Sequence, residues 1–429
     1  MKSVAEIRDP VHGYIKITEV EREIIDSPVV QRLRGIHQLA GAYLVYPGAV
    51  HTRFEHVLGA MHVAGAIAQS IAEHFDATNE QIQEIRLAAL LHDVGHGPFS
   101  HLFEEVLVAK TAINHEDISR LIISKTEIAD ILERHGFSSS KMSSFAVGNQ
   151  RKKPPFMNEI ISGGLSADIM DYLPRDAYFA GVEYGRVDIH RIINSLSVAE
   201  EHLALERASL NAFEDMLLAR YQMFKAVYFH RTVRAAQLML AYSMKLADDV
   251  LHFTDLSNID EFLELTDEVV LQRLGALGAE TRNMREAKRL ANDFRSRRLV
   301  KCVYERLMQR KDRVVEELFE EDKVRNQVLL DISRRTNVSR VHIYLDVPTT
   351  PSVPYTSSRE MLKSITTVNH EGRKTYYQTI PISELPLVGS IAGFINILRI
   401  YTRPEYRQKI LETTNELFRG DESFVRILG

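Results

Sequence analysis

Apolar positions recur at helical spacing through most of the first 250 residues. Residues 57–75 place Val57, Leu58, Met61, Val63, Ala64 and Ile67 at that spacing. Residues 80–92, with Asn79 as cap, carry Ile82, Ile85, Leu87, Leu90 and Leu91 as a wide stripe. Residues 212–247 repeat the period over a longer stretch. The pattern fails over 137–157, where Ser, Pro and the triplet Arg151-Lys152-Lys153 predict a loop or flap with a solvated basic tip. Beyond Leu251 the character changes. Charged helical sequence runs over 258–333. Strand-like segments follow at 341–347, 374–380 and 394–402, with a Pro/Thr/Ser loop over 348–358, and 404–418 predicts a closing helix with proline near its start. No internal repeat is visible. The expected fold is mainly α: a helical core over 1–250, then a helical extension and a smaller α+β lobe over 251–429.

The 429 residues can bury a large core. A net charge of -5 argues against a generally basic surface, so nucleic acid stays open as a partner only through a local patch. No run of about 18 apolar residues predicts a membrane span. The single cysteine, Cys302, excludes an intrachain disulfide and suits a reducing cytoplasm. The first residues lack the apolar stretch of a signal peptide.

The chemistry concentrates in His92-Asp93-Val94-Gly95-His96-Gly97-Pro98-Phe99-Ser100-His101, which ends an apolar helical segment. An adjacent His-Asp pair offers a nitrogen and a hard oxygen to one divalent metal. Gly95 and Gly97 let the backbone turn, and His96 and His101 then face whatever the metal holds. Two other segments match this chemistry. His51-Thr52-Arg53-Phe54-Glu55-His56 supplies a cation and two imidazoles, and Asp168, Asp171 and Asp176 supply carboxylates, the first two on one helical face with Tyr172. A lone histidine of this kind is most often surface or satisfied core. Three segments of matching chemistry suit metal-assisted hydrolysis better than packing.

At these residues the chain resembles the HD-domain superfamily of metal phosphohydrolases, whose pattern of one His, a His-Asp pair and a distant Asp falls on His56, His92, Asp93 and Asp168. Asp9 to Tyr14, Ser27-Pro28, Gln31 to Arg34, Gln38-Leu39, Tyr46 to Ala49, His51 to His56 and His92 to His101 occur in an order similar to the deoxynucleotide triphosphohydrolase family whose animal member carries an added sterile-alpha-motif domain. The resemblance covers roughly residues 5–245; beyond it, Leu398-Arg399-Ile400-Tyr401 is the best landmark. The short start predicts a catalytic relative without the added domain.

The resemblance implies one divalent ion, with Mn, Fe, Mg, Zn and Ni not distinguished. A second ion is conceivable through His115-Glu116; the resemblance gives His115 a catalytic or phosphate role instead. It makes His101 the proton donor to the leaving oxygen, supported by Glu104, where the animal enzyme has Asp. His96, His115, Arg53 and Arg220 fall on phosphate-binding positions. Gln38, Leu39, Tyr172 and Asp176 fall on deoxyribose-facing positions, and Tyr228 on an aromatic under the nucleoside or, on spacing alone, a core residue. Ile169, Phe224 and Phe229 replace a Lys, a His and a Gln of the animal enzyme. Asp26, Gln31 and Arg34 match a site for activating GTP or dGTP, unless Asp26 only caps the helix at Pro28. Val45, Arg191, His230, Arg231, Arg399 and Arg403 match an adjoining dNTP site. The implied assembly is a homo-oligomer, tetramer favoured. The implied reaction converts a dNTP to deoxynucleoside and inorganic triphosphate. Two alternatives remain: hydrolysis of another nucleotide (monophosphate, cyclic nucleotide or alarmone), or nucleotide or nucleic-acid binding over a vestigial site.

Overall fold

A computed structural model describes residues 2–75, 77–308, 322–351, 362–371, 374–391 and 394–418. Residues 309–321 of the charged run and 352–358 of the Pro/Thr/Ser loop lie outside the described residues.

The chain opens with an antiparallel hairpin, β1 (Ala5–Asp9) and β2 (Gly13–Ile17). The Asp9 carboxylate accepts the Val11 and His12 amides at 2.9 and 2.8 Å and closes the turn. Helices α1 (Glu19–Ile25) and α2 (Pro28–Gln31) follow, then α3 (Arg53–Ser70) and α4 (Asn79–Leu91). The α3 helix starts earlier than its apolar stripe because Thr52 and Glu55 form a reciprocal capping box, which places Arg53 and His56 in the first turn. Thr78, not Asn79, caps α4: Gln81 stands three residues on and completes a second box.

Next come α5 (His101–Thr111), α6 (His115–Lys125), α7 (Glu127–Arg134), α8 (Ser139–Ala146), α9 (Pro155–Ile161), α10 (Ala167–Ala180) and α11 (Ile189–Ile193). The expected loop over 137–157 is thus largely helical. Ser138 caps α8, and Met142 and Phe145, three residues apart, are buried. Residues 137–138 and 147–154 remain irregular. Within the basic triplet, Arg151 and Lys152 are exposed, whereas Lys153 pairs with Glu84 at 2.6 Å.

A hairpin, β3 (Leu196–Ala199) and β4 (His202–Glu206), precedes α12 (Leu210–Met223). A π-helical turn over Phe224–Tyr228 separates α12 from α13 (Arg231–Leu251), so 212–247 is not one helix. The charged run contains α14 (Ile259–Leu263), α15 (Asp267–Ala276) and α16 (Arg282–Arg295), but then a strand, β5 (Lys301–Met308). Within β5, Glu305 serves cross-strand pairing rather than a solvated helix. The last elements are α17 (Asp322–Thr336), β6 (Ile343–Asp346), β7 (Thr349–Pro351), β8 (Ser364–Glu371), β9 (Lys374–Pro381), α18 (Pro386–Ile391), β10 (Phe394–Thr402) and α19 (Arg407–Leu417).

The chain divides into two compact units. The first comprises residues 1–224, 251–273 and 353–392; the second comprises 225–250, 274–352 and 393–429. In the first, α3 packs against α4 and α10, with Val57, Met61, Ala64 and Ile67 buried. The order β3-β4-β8-β9 forms its larger sheet, with β4 and β8 parallel. In the second, β10 lies between β5 and β6 and also pairs with β7. Glu305 sits opposite Arg399 in that sheet and bonds it at 2.7 Å. Val328, Leu329, Ile332, Leu398, Ile400 and Ile410 form the core there. Among the described residues, no helix is long and apolar enough to cross a membrane.

Candidate metal centre

Three helices of the first unit deliver four side chains to one point. His56 comes from the first turn of α3, His92 and Asp93 from the end of α4, and Asp168 from the first turn of α10. His56 Nε2 lies 3.2 Å from Asp168 Oδ1 and 3.5 Å from Asp93 Oδ2. His92 Nε2 lies 3.3 Å from Asp93 Oδ1 and 3.9 Å from Asp168 Oδ1. Each imidazole is oriented from behind: His56 Nδ1 donates to Asp171 Oδ2 and His92 Nδ1 to the Ala89 carbonyl, both at 2.8 Å. Both Nε2 atoms are buried and make no hydrogen bond. Ligand atoms about 2.1 Å from one ion at tetrahedral or octahedral angles are roughly 3.0–3.4 Å from each other, so this donor set fits a divalent cation.

The electrostatics favour a cation. Burial opposes ionisation of Asp93, but the Arg53 guanidinium, His92 and His96 hold its carboxyl well below the ordinary range. Asp168 is held low against burial by His56 and His92. Burial pulls His56 down, yet the adjacent Asp168 and Asp171 carboxylates raise it to about 10. A site that holds a proton this tightly has surplus negative potential.

Asp171 was legible as a carboxylate but not as the hub of the site. Its side chain has no exposed surface. Oδ1 accepts from His12 Nε2 at 2.6 Å and from an Arg175 nitrogen at 2.8 Å; Oδ2 accepts from His56 Nδ1 at 2.8 Å and from Arg175 Nε at 2.9 Å. Arg175 also donates to Asp9 at 2.8 Å. Gly59 permits this approach: a Cβ there would stand 1.8 Å from Asp171 Oδ1. The i, i+4 spacing of Asp171 and Arg175 was the available signal; their coupling to Asp9 and His12 spans too much sequence for spacing to show.

Beside the four lie the remaining candidate groups. Arg53 is buried, pairs with Asp93 and donates to Ser100 Oγ at 2.9 Å. His96 is buried, lies 3.4 Å from Asp93 Oδ1 and stacks on His115 at 4.1 Å. Burial, Arg53 and His115 push His96 well below the usual imidazole range. Glu104 joins His101 Nδ1 at 3.2 Å and His115 Nδ1 at 2.7 Å. Burial works against ionised Glu104, but those two imidazoles lower its pKa, and Glu104 in turn raises that of His115 against burial. The His101 side chain is 68% exposed. Ring nitrogens of His96, His101 and His115 lie within 4.8 Å of one another, a second group able to hold a cation.

Gln38 is nearly buried, and its Oε1 makes no hydrogen bond. Leu39 is half-buried beside it. Burial pushes the Tyr172 phenol up to about 12, partly offset by the Arg220 guanidinium. Arg220 is buried and lies over Phe224. Asp176 accepts from His51 Nε2 at 2.7 Å. Tyr228 belongs to the second unit.

Asp26 ends α1 and is exposed; Ser27, not Asp26, caps α2, its hydroxyl accepting the Val30 amide at 3.4 Å. Gln31 donates to the Ile25 carbonyl and accepts from Arg34 Nε, each at 2.8 Å, and Arg34 lies over Phe54. Asp26 helps line a cavity of about 430 Å³ together with Arg22, Glu23, Glu127, Asp130 and Arg134. Val45 and Arg191 also belong to the first unit, Arg191 exposed. His230, Arg231, Arg399 and Arg403 belong to the second, where burial, Arg231 and Arg399 lower the His230 pKa. Arg399 is buried on Glu305, and Arg403 lies 3.3 Å from Glu405.

The HD domain family matches residues 53–176, and the HD associated region matches 187–374. A crystal structure of a hypothetical protein from Aquifex aeolicus superposes with a TM-score of 0.76 and 30% identity, covering 96% of this chain and 99% of that one. An uncharacterized protein of Methanocaldococcus jannaschii is 37% identical over 284 residues, 62% of this chain and 57% of that protein. The deoxynucleoside triphosphate triphosphohydrolase SAMHD1 of Gallus gallus is 28% identical over 344 residues, 69% of this chain and 55% of that protein. The matched region thus spans little more than half the length of these two curated relatives.

Proposed function

Because the chain belongs to the HD-domain family, we propose that it is a metal-dependent phosphohydrolase that cleaves dNTPs to deoxynucleoside and inorganic triphosphate. The observation that carries the hydrolase reading is the pair of buried, unbonded Nε2 atoms on His56 and His92, facing Asp93 and Asp168. The dNTP reading is supported by similarity to the Gallus gallus enzyme, whose name states that activity.

One divalent ion held by His56, His92, Asp93 and Asp168 would polarise a phosphoryl oxygen and lower the pKa of a bound water. Arg53, fixed by Asp93 and Ser100, and Arg220 bring positive charge to the triphosphate. His96 and His115 supply further contacts to phosphate oxygens. His101 protonates the leaving 5′-oxygen. Glu104 holds its Nδ1, which turns Nε2 outward as the donor. Gln38, Leu39, Tyr172 and Asp176 face the sugar and exclude a 2′-hydroxyl; the unbonded Gln38 Oε1 supports a polar contact there. Tyr228 lies under the nucleoside in this reading. Asp26, Gln31 and Arg34 take an activating guanine nucleotide in this reading. Val45, Arg191, His230, Arg231, Arg399 and Arg403 take a neighbouring dNTP, with assembly to a tetramer. The setting is a reducing cytoplasm, in keeping with the lone Cys302.

Product analysis decides between readings. Metal-stripped protein is incubated with each dNTP and NTP, then reloaded with one cation at a time, with and without GTP. Metal-dependent triphosphate release from dNTPs, absent with NTPs, is expected. Release of monophosphate or pyrophosphate would overturn the triphosphohydrolase reading. Activity and sedimentation unchanged by GTP would overturn guanine-nucleotide control. Two bound ions per chain would give the His96, His101 and His115 group to a metal.

A further inference from the structure

The turn that precedes His101 is held in an unfavourable conformation. Phe99 and Ser100, neither of them glycine, have φ of 60° and 58°. Ser100 has ψ of -130°, outside the left-handed helical basin that a serine tolerates. Such a turn persists only where its surroundings over-determine it. The surroundings are supplied largely by Asp267, at the start of α15, outside the matched HD domain.

Asp267 is buried. Its Oδ1 accepts the Phe99 amide at 2.6 Å. Its Oδ2 accepts both the amide and the ring Nδ1 of His37, at 3.1 and 2.8 Å. Ser100 Oγ then donates to the His37 carbonyl at 2.7 Å while accepting from Arg53. The neighbouring Arg32 is also buried; it donates to the carbonyls of Leu265 and His96 at 3.1 and 3.0 Å. Gly35 lets the segment approach, since a Cβ there would stand 2.7 Å from Thr266 Cγ2. Two buried charged side chains therefore fasten the turn carrying His96 and His101 to the stretch carrying Gln38, the residue after His37.

We propose that Asp267 is a positioning residue for the hydrolysis: it clamps the strained Phe99–Ser100 turn and thereby aims His101 at the leaving oxygen. This rests on the function proposed above. Asp267 touches neither the metal ligands nor the sugar-facing residues, so its removal acts through geometry.

The test uses the full chain, with Asp267→Ala and the shape-conserving Asp267→Asn in case the first does not fold. Hydrogen exchange measured by mass spectrometry reads the clamp without catalysis. Peptides spanning 97–103 are expected to exchange faster in the variants, while those spanning 85–91 keep their protection. Turnover reads the consequence: kcat is expected to fall on the order of 10²-fold, with KM and bound metal unchanged. In a His101→Ala background the same substitution is expected to lower kcat no further, because the group it aims is already gone. Unchanged exchange at 97–103, or an equal additional loss of kcat in the His101→Ala background, would overturn the proposal. Wild-type protein that hydrolyses no dNTP would refute the substrate reading alone; the exchange comparison would still decide the clamp.

Discussion

Replacing Asp171 by Asn tests the hub of the candidate centre. The substitution keeps shape and removes one acceptor. Four donors converge on the two carboxylate oxygens: His12, His56 and two nitrogens of Arg175. An asparagine offers one oxygen, so its amide nitrogen must face either His12 and one Arg175 nitrogen, or His56 and the other. Two buried donors are orphaned in either orientation, at about 1–3 kcal/mol each and more for the charged one. The sum agrees with the roughly 3–5 kcal/mol expected for breaking a buried ion pair. Asp9 still holds Arg175 at 2.8 Å, which places the loss toward the lower end. In either orientation His56 loses the carboxylate charge that fixes its Nδ1 proton, so metal affinity should fall about 10- to 100-fold. Competition with a chromophoric chelator measures the affinity, and denaturant unfolding of the metal-free protein measures the stability. An unchanged metal dissociation constant would refute the orienting role, whatever the stability.

Three further outcomes are expected. His101→Ala should lower kcat by roughly 10²–10⁴-fold with bound metal retained; normal turnover would pass the acid role to another group. Gly59→Ala should destabilise the protein and weaken metal binding together, since its methyl must displace Asp171 and Arg175; a fully stable variant would contradict the close approach. Glu104→Gln should show a pH-dependent loss of stability. Glu104, with its pKa lowered, contributes above its ordinary 4.5, and His115, with its pKa raised, contributes below its ordinary 6.5. The gap from wild type should therefore be widest between those values, shrink below them, and shrink again as pH rises through the raised His115 pKa. A gap that widens steadily above pH 7 would refute this assignment.

The four candidate ligand positions stood out because an adjacent His-Asp pair, followed by a glycine-rich turn, has few structural explanations. Their convergence is borne by three helices, of which α3 and α4 were legible from their apolar stripes. What escaped was of two kinds. Local chemistry outvoted composition in α8, where serine reads as loop yet Ser138 caps a helix. In β5, Glu305 reads as solvated helix until its partner Arg399, far along the chain, is known. The second kind is long-range satisfaction of buried charge. Nothing near Asp171 in sequence announces His12, and nothing near Phe99 announces Asp267. Propensity governs which segments coil; the pairing of buried polar groups depends on the finished packing.

The hairpin turn at Asp9 and His12 sets a timetable for synthesis. Asp9 meets Arg175 and His12 meets Asp171 across 166 and 159 residues. A ribosome adding roughly 5–20 residues per second separates these partners by on the order of ten seconds or more. Throughout that interval the nascent chain carries His12 and Asp9 without the helix that receives them. The candidate centre is therefore complete only after α10 has emerged. Until then the growing chain offers only the incomplete set from α3 and α4, so a cation captured earlier would meet three of the four candidate ligands.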